Sequence, residues 1–409
     1  MKFTVYAGLA GLLALPTVLA QAKVTNDNVS AAVVVPDSYI VKFKPNADAN
    51  KKKKYTDNIN NKKGKKKGVI ESISTDGFDA AVVEIPADQL PALLASDLVD
   101  FVEKDTTVNV TGVATPIEKR TYVSQADAPW GLARISHNPT GVNRGASNYY
   151  YDNSAGVGVR VYIIDTGIRT THTDFGGRAV WGKNYITGSP NTDEYGHGTH
   201  VAGTVAGTKY GVAKRATVVA VKVLDKNGSG TMAGVVQGIS WAVADAKAKG
   251  IAKKAVINMS LGGGTSAAVN AAVKAATDAG ITVVVAAGNS NDNSQYYSPA
   301  SAPSAITVGA IEGTRGRAYF SNYGSLVDIF APGVSVLSAY HTSDTATYYM
   351  DGTSMASPHV AGLAAYFIAK EGLSGSTAVT NRIIAASLKN VVRDPVGSQN
   401  RLAYNAGGQ

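Results

Sequence analysis

The chain has 409 residues, with 39 basic and 30 acidic side chains, 44% hydrophobic residues and no cysteine. This length allows a large buried core together with a smaller second unit. The lack of cysteine excludes disulfide frameworks, cysteine-ligated zinc, iron–sulfur clusters and cysteine nucleophiles.

The first twenty residues have the layout of a secretory signal peptide. Lys2 precedes an apolar stretch over residues 3–15, and Pro16 is followed by a segment that ends in Ala20. We therefore predict that residues 1–20 are removed and that the protein is extracellular. The apolar stretch is too short to span a bilayer comfortably, and no other stretch approaches the length of a membrane helix, so no membrane span is expected.

Residues 23 to about 110 are typical of a small α/β unit. Alternating apolar residues predict strands over Tyr39–Phe43 and Phe78–Ile85. A short helix is expected over Asp88–Leu98, with a further strand at Phe101–Glu103. A linker over Thr111–Ser124 follows this unit.

The N-terminal unit also contains a dense run of lysines, Lys51–Lys54 and five more within residues 62–67. Only Tyr55 adds an aromatic ring to this run, so a surface for stacking nucleic-acid bases is not expected. We predict a solvated, mobile loop here and no nucleic-acid partner.

From Trp130 onward, apolar strands alternate with alanine-rich helices, which predicts a mostly parallel sheet covered on both faces. The strands are expected at Val159–Ile164, Thr217–Leu224, Ala255–Met259, Ile281–Ala286 and Ile306–Val308. The helices are expected at Met232–Lys249, Ser266–Ala279 and Ser357–Glu371. In such a sheet, chemistry is expected at the carboxyl ends of the strands.

Three polar residues stand among small residues at the edges of apolar elements. Asp165 follows a predicted strand, His197 lies in Gly-His-Gly-Thr-His, and Ser354 lies in Asp-Gly-Thr-Ser-Met-Ala-Ser-Pro. Singly, such residues are usually helix caps or turn residues, and Pro358 suits the first turn of the helix expected after Ser354. Together they are the groups of nucleophilic acyl transfer, since serine needs a base and the imidazole needs an orienting carboxylate.

Asn289 supplies a fourth component at the end of another apolar strand. Its side-chain amide is suited to donate a hydrogen bond to a developing oxyanion, together with the backbone N–H of Ser354. The chain order Asp, His, Ser differs from the orders in chymotrypsin and in the α/β-hydrolases.

These segments resemble those of the subtilases, and most closely those of the proteinase K branch. Two further segments carry the same resemblance: Ser260-Leu261-Gly262-Gly263 and Ala286-Ala287-Gly288-Asn289. The likeness extends from Ala128 almost to Asn405. It implies a subtilisin-like three-layer α/β fold with a mostly parallel sheet. It also implies that the catalytic residues are Asp165, His197 and Ser354, that Asn289 is the oxyanion donor and that His200 is structural.

The N-terminal unit resembles the small, ferredoxin-like inhibitor propeptide of this family, notably in Tyr39–Phe43 and Val102–Asp105. The resemblance implies that residues 21–122 act as an intramolecular chaperone and inhibitor, followed by a peptidase domain over residues 123–409. The bond that is cut stays open. Lys119-Arg120 suits a dibasic processing enzyme, whereas Tyr122 suits self-cleavage by a protease that prefers large apolar P1 residues.

The resemblance also implies a substrate pocket. Ser260, Leu261 and Gly262 match one wall of the S1 pocket of the family, and Ala286 and Gly288 match the other. Because these residues are small or neutral, the pocket should accept aromatic or large aliphatic P1 side chains.

Gly228 and Ser229 match the edge strand that pairs with an extended substrate. Met232 stands where this branch often carries a tyrosine at S4, so the P4 preference should differ. The carbonyls of Pro303 and Ala305, with Asp328, match a structural calcium site, although Asp328 alone is equally explained as a turn cap. No cofactor is expected for catalysis.

The leading hypothesis is a secreted, monomeric serine endopeptidase made as a self-processing zymogen. In its lack of cysteine the chain is similar to the extracellular proteases of nematode-trapping fungi, which attack nematode cuticle. One alternative is a catalytically silent subtilase fold used for binding, which the presence of all four catalytic positions disfavours. Another is an esterase or lipase, which the residue order and the glycine edge disfavour.

Overall fold

The structure, a computed structural model, describes residues 22–45, 47–61, 68–75, 78–110, 128–138 and 148–406. The predicted signal peptide, the linker residues Arg120 and Tyr122, and the lysines within residues 62–67 lie outside the described residues. Within the described ranges, no helix has both the length and the apolar character needed to cross a bilayer.

The N-terminal unit is a sheet with helices on one face, antiparallel except for the short β1, which is parallel to β5. Its elements are β1 (Lys23–Val24), β2 (Val34–Phe43), α1 (Ala49–Asn61), β3 (Gly68–Thr75), β4 (Phe78–Glu84), α2 (Leu90–Leu94) and β5 (Val99–Val110). Strand β2 lies between β4 and β5, and β3 pairs with the other edge of β4.

Alternation along these strands gives the sheet two different buried faces. Val41 on β2 packs in a cluster with Ile59 of α1 and Leu93 of α2. Ile40 and Val82 face the opposite way and belong to a cluster formed largely by the C-terminal unit. The N-terminal sheet therefore packs its second face on the rest of the protein.

Two expectations for the N-terminal unit are wrong. Lys51–Lys54 lie on helix α1 and not in a loop, because Tyr55 and Ile59, one helical turn apart, pack that helix on the sheet. The helix expected over Asp88–Leu98 is confined to Leu90–Leu94 after a short 3₁₀ turn. The strand expected at Phe101–Glu103 is part of the much longer β5.

The C-terminal unit alternates strands and helices. Its elements in chain order are α3 (Trp130–Ser136), β6 (Arg160–Asp165), β7 (Ala179–Asn184), α4 (His197–Ala206), β8 (Thr217–Lys222), β9 (Ser229–Thr231), α5 (Met232–Ala248), β10 (Ala255–Met259), β11 (Leu261–Gly264), α6 (Ala267–Asp278), β12 (Thr282–Ala286), β13 (Tyr297–Ser298), β14 (Ile306–Ile311), β15 (Ile329–Pro332), β16 (Val336–Ala339), β17 (Thr347–Met350), α7 (Thr353–Glu371), α8 (Ser376–Ala386), β18 (Leu388–Lys389) and β19 (Arg401–Leu402).

The main sheet has the strand order β18-β19-β15-β14-β12-β10-β6-β8-β7 and is parallel except for the β18–β19 pair. Val161 and Ile163 of β6 pack on the side of α4 and α7. Tyr162 and Ile164 pack on the side of α5 and α6. The predicted three-layer fold with a mostly parallel sheet is confirmed.

Helix α7 begins four residues earlier than expected, at Thr353, so Pro358 lies inside the helix and not in a first turn after Ser357. A proline in a helix interior lacks the N–H that would bond the carbonyl four residues earlier. Here that carbonyl belongs to Ser354, and it accepts instead from Ser260 Oγ at 2.8 Å. The side chain of Ser260 thus compensates for the missing bond.

Candidate active site

Asp165 and His197 are in direct contact at the carboxyl end of the sheet. Asp165 ends β6, and its Oδ1 lies 2.7 Å from His197 Nδ1. The same oxygen accepts the backbone N–H of Thr166 at 2.7 Å. Both side chains are fully buried, so the carboxylate fixes the imidazole with its proton on Nδ1.

The other imidazole nitrogen, His197 Nε2, is buried and has no hydrogen-bond partner among the described residues. Since Nδ1 donates to Asp165, Nε2 carries the lone pair of the neutral ring. A general base needs such a nitrogen, held in place by a bond on the far side of the ring.

Glycines allow helix α4 to begin against the end of β6. His197 is the first residue of α4, and Gly196 before it has a φ of 104°. A Cβ atom on Gly198 would lie 2.1 Å from the carbonyl oxygen of Gly167. Only glycine permits this approach, which brings His197 to Asp165.

Asp193, which was not among the site residues predicted from sequence, joins these segments. Its Oδ1 accepts from Thr166 Oγ1 and from the Gly196 N–H, each at 2.8 Å, and its Oδ2 accepts from the N–H of Thr199 at 2.8 Å. Thr166 Oγ1 accepts the Gly198 N–H at 2.9 Å. An aspartate four residues before a helix start was the available signal, because carboxylates stabilise helix N-termini.

Ser354 is the second residue of α7, a helix that packs against α4 and β10. Its Oγ donates to the carbonyl of Ser260 at 3.1 Å, while Ser260 Oγ donates to the carbonyl of Ser354. The start of α7 is therefore tied on both sides to the segment predicted as one wall of the S1 pocket.

Asn289 lies beside the same helix start. Its Oδ1 accepts from the N–H of Thr353 at 2.9 Å and from Thr353 Oγ1 at 2.8 Å. Thr353 Oγ1 in turn accepts the N–H of Gly288 at 3.1 Å. Because its oxygen is held by Thr353, the amide has a fixed orientation next to Ser354.

Gly288 could not be replaced at this position. It has a φ of 102°, and a Cβ atom would lie 2.4 Å from Asn322 Nδ2. Asn322 Oδ1 accepts the N–H groups of Ser290 and Asp292 at 2.9 and 3.1 Å. The loop that carries Asn289 is thus built around the buried side chain of Asn322.

Strand β5 of the N-terminal unit extends into the predicted substrate cleft. It is antiparallel to β9 on one side, with Val108 opposite Gly230, and to β11 on the other, with Asn109 opposite Gly262. Ser229 therefore lies on an edge strand, while Gly228 occupies the turn before it, with a φ of 73°. The side chain of Val108 is buried in a cluster with Met232 and Leu261.

Two buried carboxylates fasten β5 to helix N-termini of the C-terminal unit. Glu103 accepts from Ser266 Oγ and from the N–H of Ala268 at the start of α6. Asp105 accepts from the N–H of Ala233 at 3.0 Å at the start of α5. Burial raises the pKa of both groups, that of Asp105 to about 6.

Two of the residues expected to bind calcium lie directly before neighbouring strands. Ala305 directly precedes β14, and Asp328 directly precedes the adjacent, parallel β15. Asp328 Oδ2 accepts the N–H of Thr307 at 2.9 Å, and burial raises the pKa of Asp328 to about 6. Calcium takes oxygen ligands, and Asp328 offers a carboxylate next to the backbone that leads into β14, so the donor chemistry of these residues fits the ion.

The second histidine of the Gly-His-Gly-Thr-His segment has a different environment from His197. His200 Nε2 bonds the carbonyls of Val336 and Tyr348 at 2.9 and 3.0 Å. Burial, with His197 nearby, lowers the pKa of His200 to about 3, and burial lowers that of His359 to about 4. Both are neutral rings bonded to backbone, as a structural role requires.

Each of the two units matches a known protein family. Residues 156–403 match the subtilase family, and residues 38–111 match the peptidase inhibitor I9 family. The chain belongs to the subtilase family. It is a serine protease of the hydrolase class with an I9 propeptide, and its own propeptide is the inhibitor unit.

Fungal subtilases are similar over nearly the whole chain. Subtilisin-like protease 2 of Pseudogymnoascus destructans is 46% identical, covering 92% of this chain and 90% of that protein. The cuticle-degrading serine protease of Arthrobotrys oligospora is 43% identical, covering 92% of each chain. The crystal structure of a cold adapted subtilisin-like serine proteinase has a TM-score of 0.64 at 41% identity, over 68% of this chain and 99% of that one.

Proposed function

We propose that this subtilase is a secreted endopeptidase in which Asp165, His197 and Ser354 form the catalytic triad. The observation that carries the assignment is the 2.7 Å contact between Asp165 Oδ1 and His197 Nδ1, which leaves a buried Nε2 with a lone pair. Nε2 takes the proton of Ser354 Oγ as that oxygen attacks the scissile carbonyl carbon. The proton then passes to the leaving amine, and water repeats the sequence on the acyl-enzyme.

Asn289 is the proposed side-chain donor to the oxyanion. Thr353 holds its Oδ1 in place, which supports a role for the amide N–H groups at the neighbouring carbonyl of a bound substrate. The backbone N–H of Ser354 is the second proposed donor. Donors that are fixed before the reaction stabilise the developing charge without reorganisation.

The test compares hydrolysis of an amide peptide with Phe at P1 by the wild type, by Ser354→Ala and by the exposed-serine control Ser374→Ala. We expect Ser354→Ala to stay uncut and inactive, while Ser374→Ala matures and cleaves like the wild type. A processed but inert wild type would overturn the protease mechanism and favour a binding role.

The environment of β5 supports a substrate preference. Val108, which lies between β9 and β11, is buried against Met232 and Leu261. We propose that P4 prefers medium aliphatic side chains. Since Ser260, Leu261 and Gly262 on one wall and Ala286 and Gly288 on the other carry no acid, P1 should be aromatic or large and apolar. Initial rates on peptides that differ only at P1 or P4 measure both preferences.

The register of β5 also bears on where the propeptide ends. Val110, the last residue of β5, lies opposite Leu261, which follows Ser260, and the carbonyl of Ser260 accepts from Ser354 Oγ. The inhibitor unit therefore ends β5 beside the proposed nucleophile, which supports self-processing. We propose that the propeptide is cut after Arg120 or after Tyr122. Amino-terminal sequencing of the mature wild type would distinguish a dibasic processing enzyme, which cuts after Arg120, from self-cleavage after Tyr122.

We propose a structural calcium ion held by the carbonyls of Pro303 and Ala305 and by Asp328. Calcium should raise the melting temperature of the wild type, and Asp328→Asn should remove that response. Asp278→Asn, at an exposed residue, is the matched control.

The extracellular substrate is proposed from the relatives. Proteins from Metarhizium anisopliae and Arthrobotrys oligospora are named as cuticle-degrading proteases. We propose that this protein acts as a monomer outside the cell on cuticle proteins, including those of nematodes. Release of soluble peptides from purified cuticle by the wild type, but not by Ser354→Ala, tests the proposal.

A further inference from the structure

A lysine lies fully buried beside the proposed triad. Lys222 ends β8, directly opposite Asp165 in the register of the parallel β6–β8 pair. Its side chain is 0% exposed. Lysine is almost never buried to this degree unless its charge is compensated, so its surroundings require an explanation.

The ammonium group of Lys222 holds the turn that follows Asp165. Nζ donates to the carbonyl of Thr166 at 2.7 Å and to the carbonyl of Leu224 at 2.9 Å. Thr166 also bonds Asp193 and the N–H of Gly198 through its hydroxyl. Lys222 therefore fixes the backbone at the point where the strand of Asp165 meets the helix of His197.

Lys222 also supplies the local positive charge. The closest carboxylate oxygen, Glu194 Oε2, is 3.8 Å from Nζ, too far for a direct hydrogen bond. Burial lowers the pKa of Lys222, and the negative charges of nearby carboxylates oppose that shift; they belong to Asp193, Glu194, Asp165 and Asp225. Asp165 Oδ2 is buried and has no hydrogen-bond partner within the described part of the chain.

We propose that Lys222 is a positioning residue for peptide hydrolysis, which holds the turn after Asp165 and places a fixed positive charge beside the Asp165–His197 pair. The proposal rests on the triad of the proposed function. A fixed cation in a buried site is poorly screened, so it stabilises a carboxylate and disfavours an imidazolium. His200, which lies near His197, is buried and uncharged and does not substitute for it.

The sign of the effect follows from the role of His197. The base is active when its ring is neutral, so activity is lost on the acid side of the pH profile. Removing a buried cation from beside the Asp165–His197 pair makes the imidazolium less unfavourable. In Lys222→Met, the acid limb of kcat/KM should move upward by about one pH unit. We expect kcat near neutral pH to fall about tenfold and KM to stay unchanged, because Lys222 bonds Thr166 and Leu224, which lie outside β9 and β11, the strands that pair with β5.

The experiment uses the full chain, allowed to mature, in Lys222→Met, Lys222→Gln and the control Lys183→Met, which removes an exposed lysine from neighbouring β7. Amide hydrolysis and inactivation by phenylmethanesulfonyl fluoride are both followed against pH. The second readout reports the state of His197 without turnover. Lys222→Gln should show the same shift with a smaller loss in kcat, because its amide keeps a donor for a carbonyl.

A folded, processed Lys222→Met enzyme with the acid limb of the wild type would overturn the proposal. If neither neutral variant matures while Lys183→Met does, the lysine serves folding alone and the proposal is wrong. A wild type that hydrolyses no amide would overturn the proposed function itself, which is a different result from an unchanged limb in the variant.

Discussion

The two units of the chain bury their apolar residues in different ways. The main sheet of the peptidase unit is covered on one face by α4 and α7 and on the other by α5 and α6, all from the same unit. The propeptide sheet is covered by its own helices on one face only, and its other face, with Ile40 and Val82, packs on the peptidase unit. The propeptide therefore depends on its partner for its core.

The buried hydrogen bonds of the two units differ in the same way. Glu103 and Asp105 of the propeptide bond backbone N–H groups at the starts of α6 and α5. The bonds that hold Asp165, His197 and Asp193 together lie within the peptidase unit. The propeptide can therefore be released without breaking the hydrogen bonds that hold the catalytic residues together. Changes in the peptidase unit should affect chemistry, and changes in the propeptide should affect stability and activation.

The largest effect is expected from Gly198→Ala. A Cβ atom there would lie 2.1 Å from the carbonyl oxygen of Gly167, so α4 must shift and His197 must leave Asp165. We expect a loss in kcat/KM of about a thousandfold or more, since misplacing a base by about 1 Å already costs about a hundredfold. The measurement is amide hydrolysis by the matured variant.

Gly313→Ala is the control for this change, because a Cβ atom at that glycine meets nothing within 4 Å. If Gly198→Ala and Gly313→Ala were equally active, the close approach of α4 to β6 would not be what positions His197.

Asn289→Leu should have the next largest effect. Loss of a fixed oxyanion donor is expected to lower kcat by about 10² to 10³ with little change in KM. Steady-state kinetics on the Phe amide measures the split between kcat and KM. The surface variant Asn191→Leu serves as control, and a rise in KM alone would show that Asn289 binds the ground state instead.

A smaller, pH-dependent effect is expected from the propeptide. The raised pKa of Asp105, about 6 in the folded chain against an ordinary 3.8, means that the folded state holds more protons between these values. Stability should therefore fall as pH rises from about 4 to 6, by about 3 kcal/mol from this group. Glu103 shifts in the same direction. The measurement is the free energy of unfolding of uncut Ser354→Ala across this range.

Adding Asp105→Asn to Ser354→Ala should reduce the change of the unfolding free energy with pH. Adding Asp100→Asn, at an exposed position, should leave that change as it is. Equal slopes in all three proteins would mean that Asp105 does not titrate with folding.

The smallest effect is expected from the lysine-rich helix α1. Lys53 pairs with Asp57 at 2.8 Å, but both side chains are at least half exposed. Such i,i+4 pairs contribute about 0.3 to 0.5 kcal/mol. Lys53→Ala should therefore change the unfolding free energy of uncut Ser354→Ala by less than about 0.5 kcal/mol. A larger loss would show that α1 depends on its charges and not on Tyr55 and Ile59.

Sequence patterns predicted the elements whose signal is local. The strand at Ala255–Met259 and the helix after Thr231 were predicted to within a residue or two. Prediction failed where packing decides the outcome. Lys51–Lys54 are helical because of two residues further along α1, and Pro358 is tolerated in α7 because Ser260 supplies the missing donor.

The sequence by itself determined the family, the order of the two units and the candidate residues Asp165, His197, Ser354 and Asn289, because glycine-rich motifs around each are local and specific. Only the tertiary structure decided how these residues are held. Asp193, Lys222 and Asn322 act through contacts between segments far apart in the chain, and the register of β5 depends on two edge strands from the other unit. Hydrogen bonds of this kind depend on distance in space, which sequence spacing does not encode.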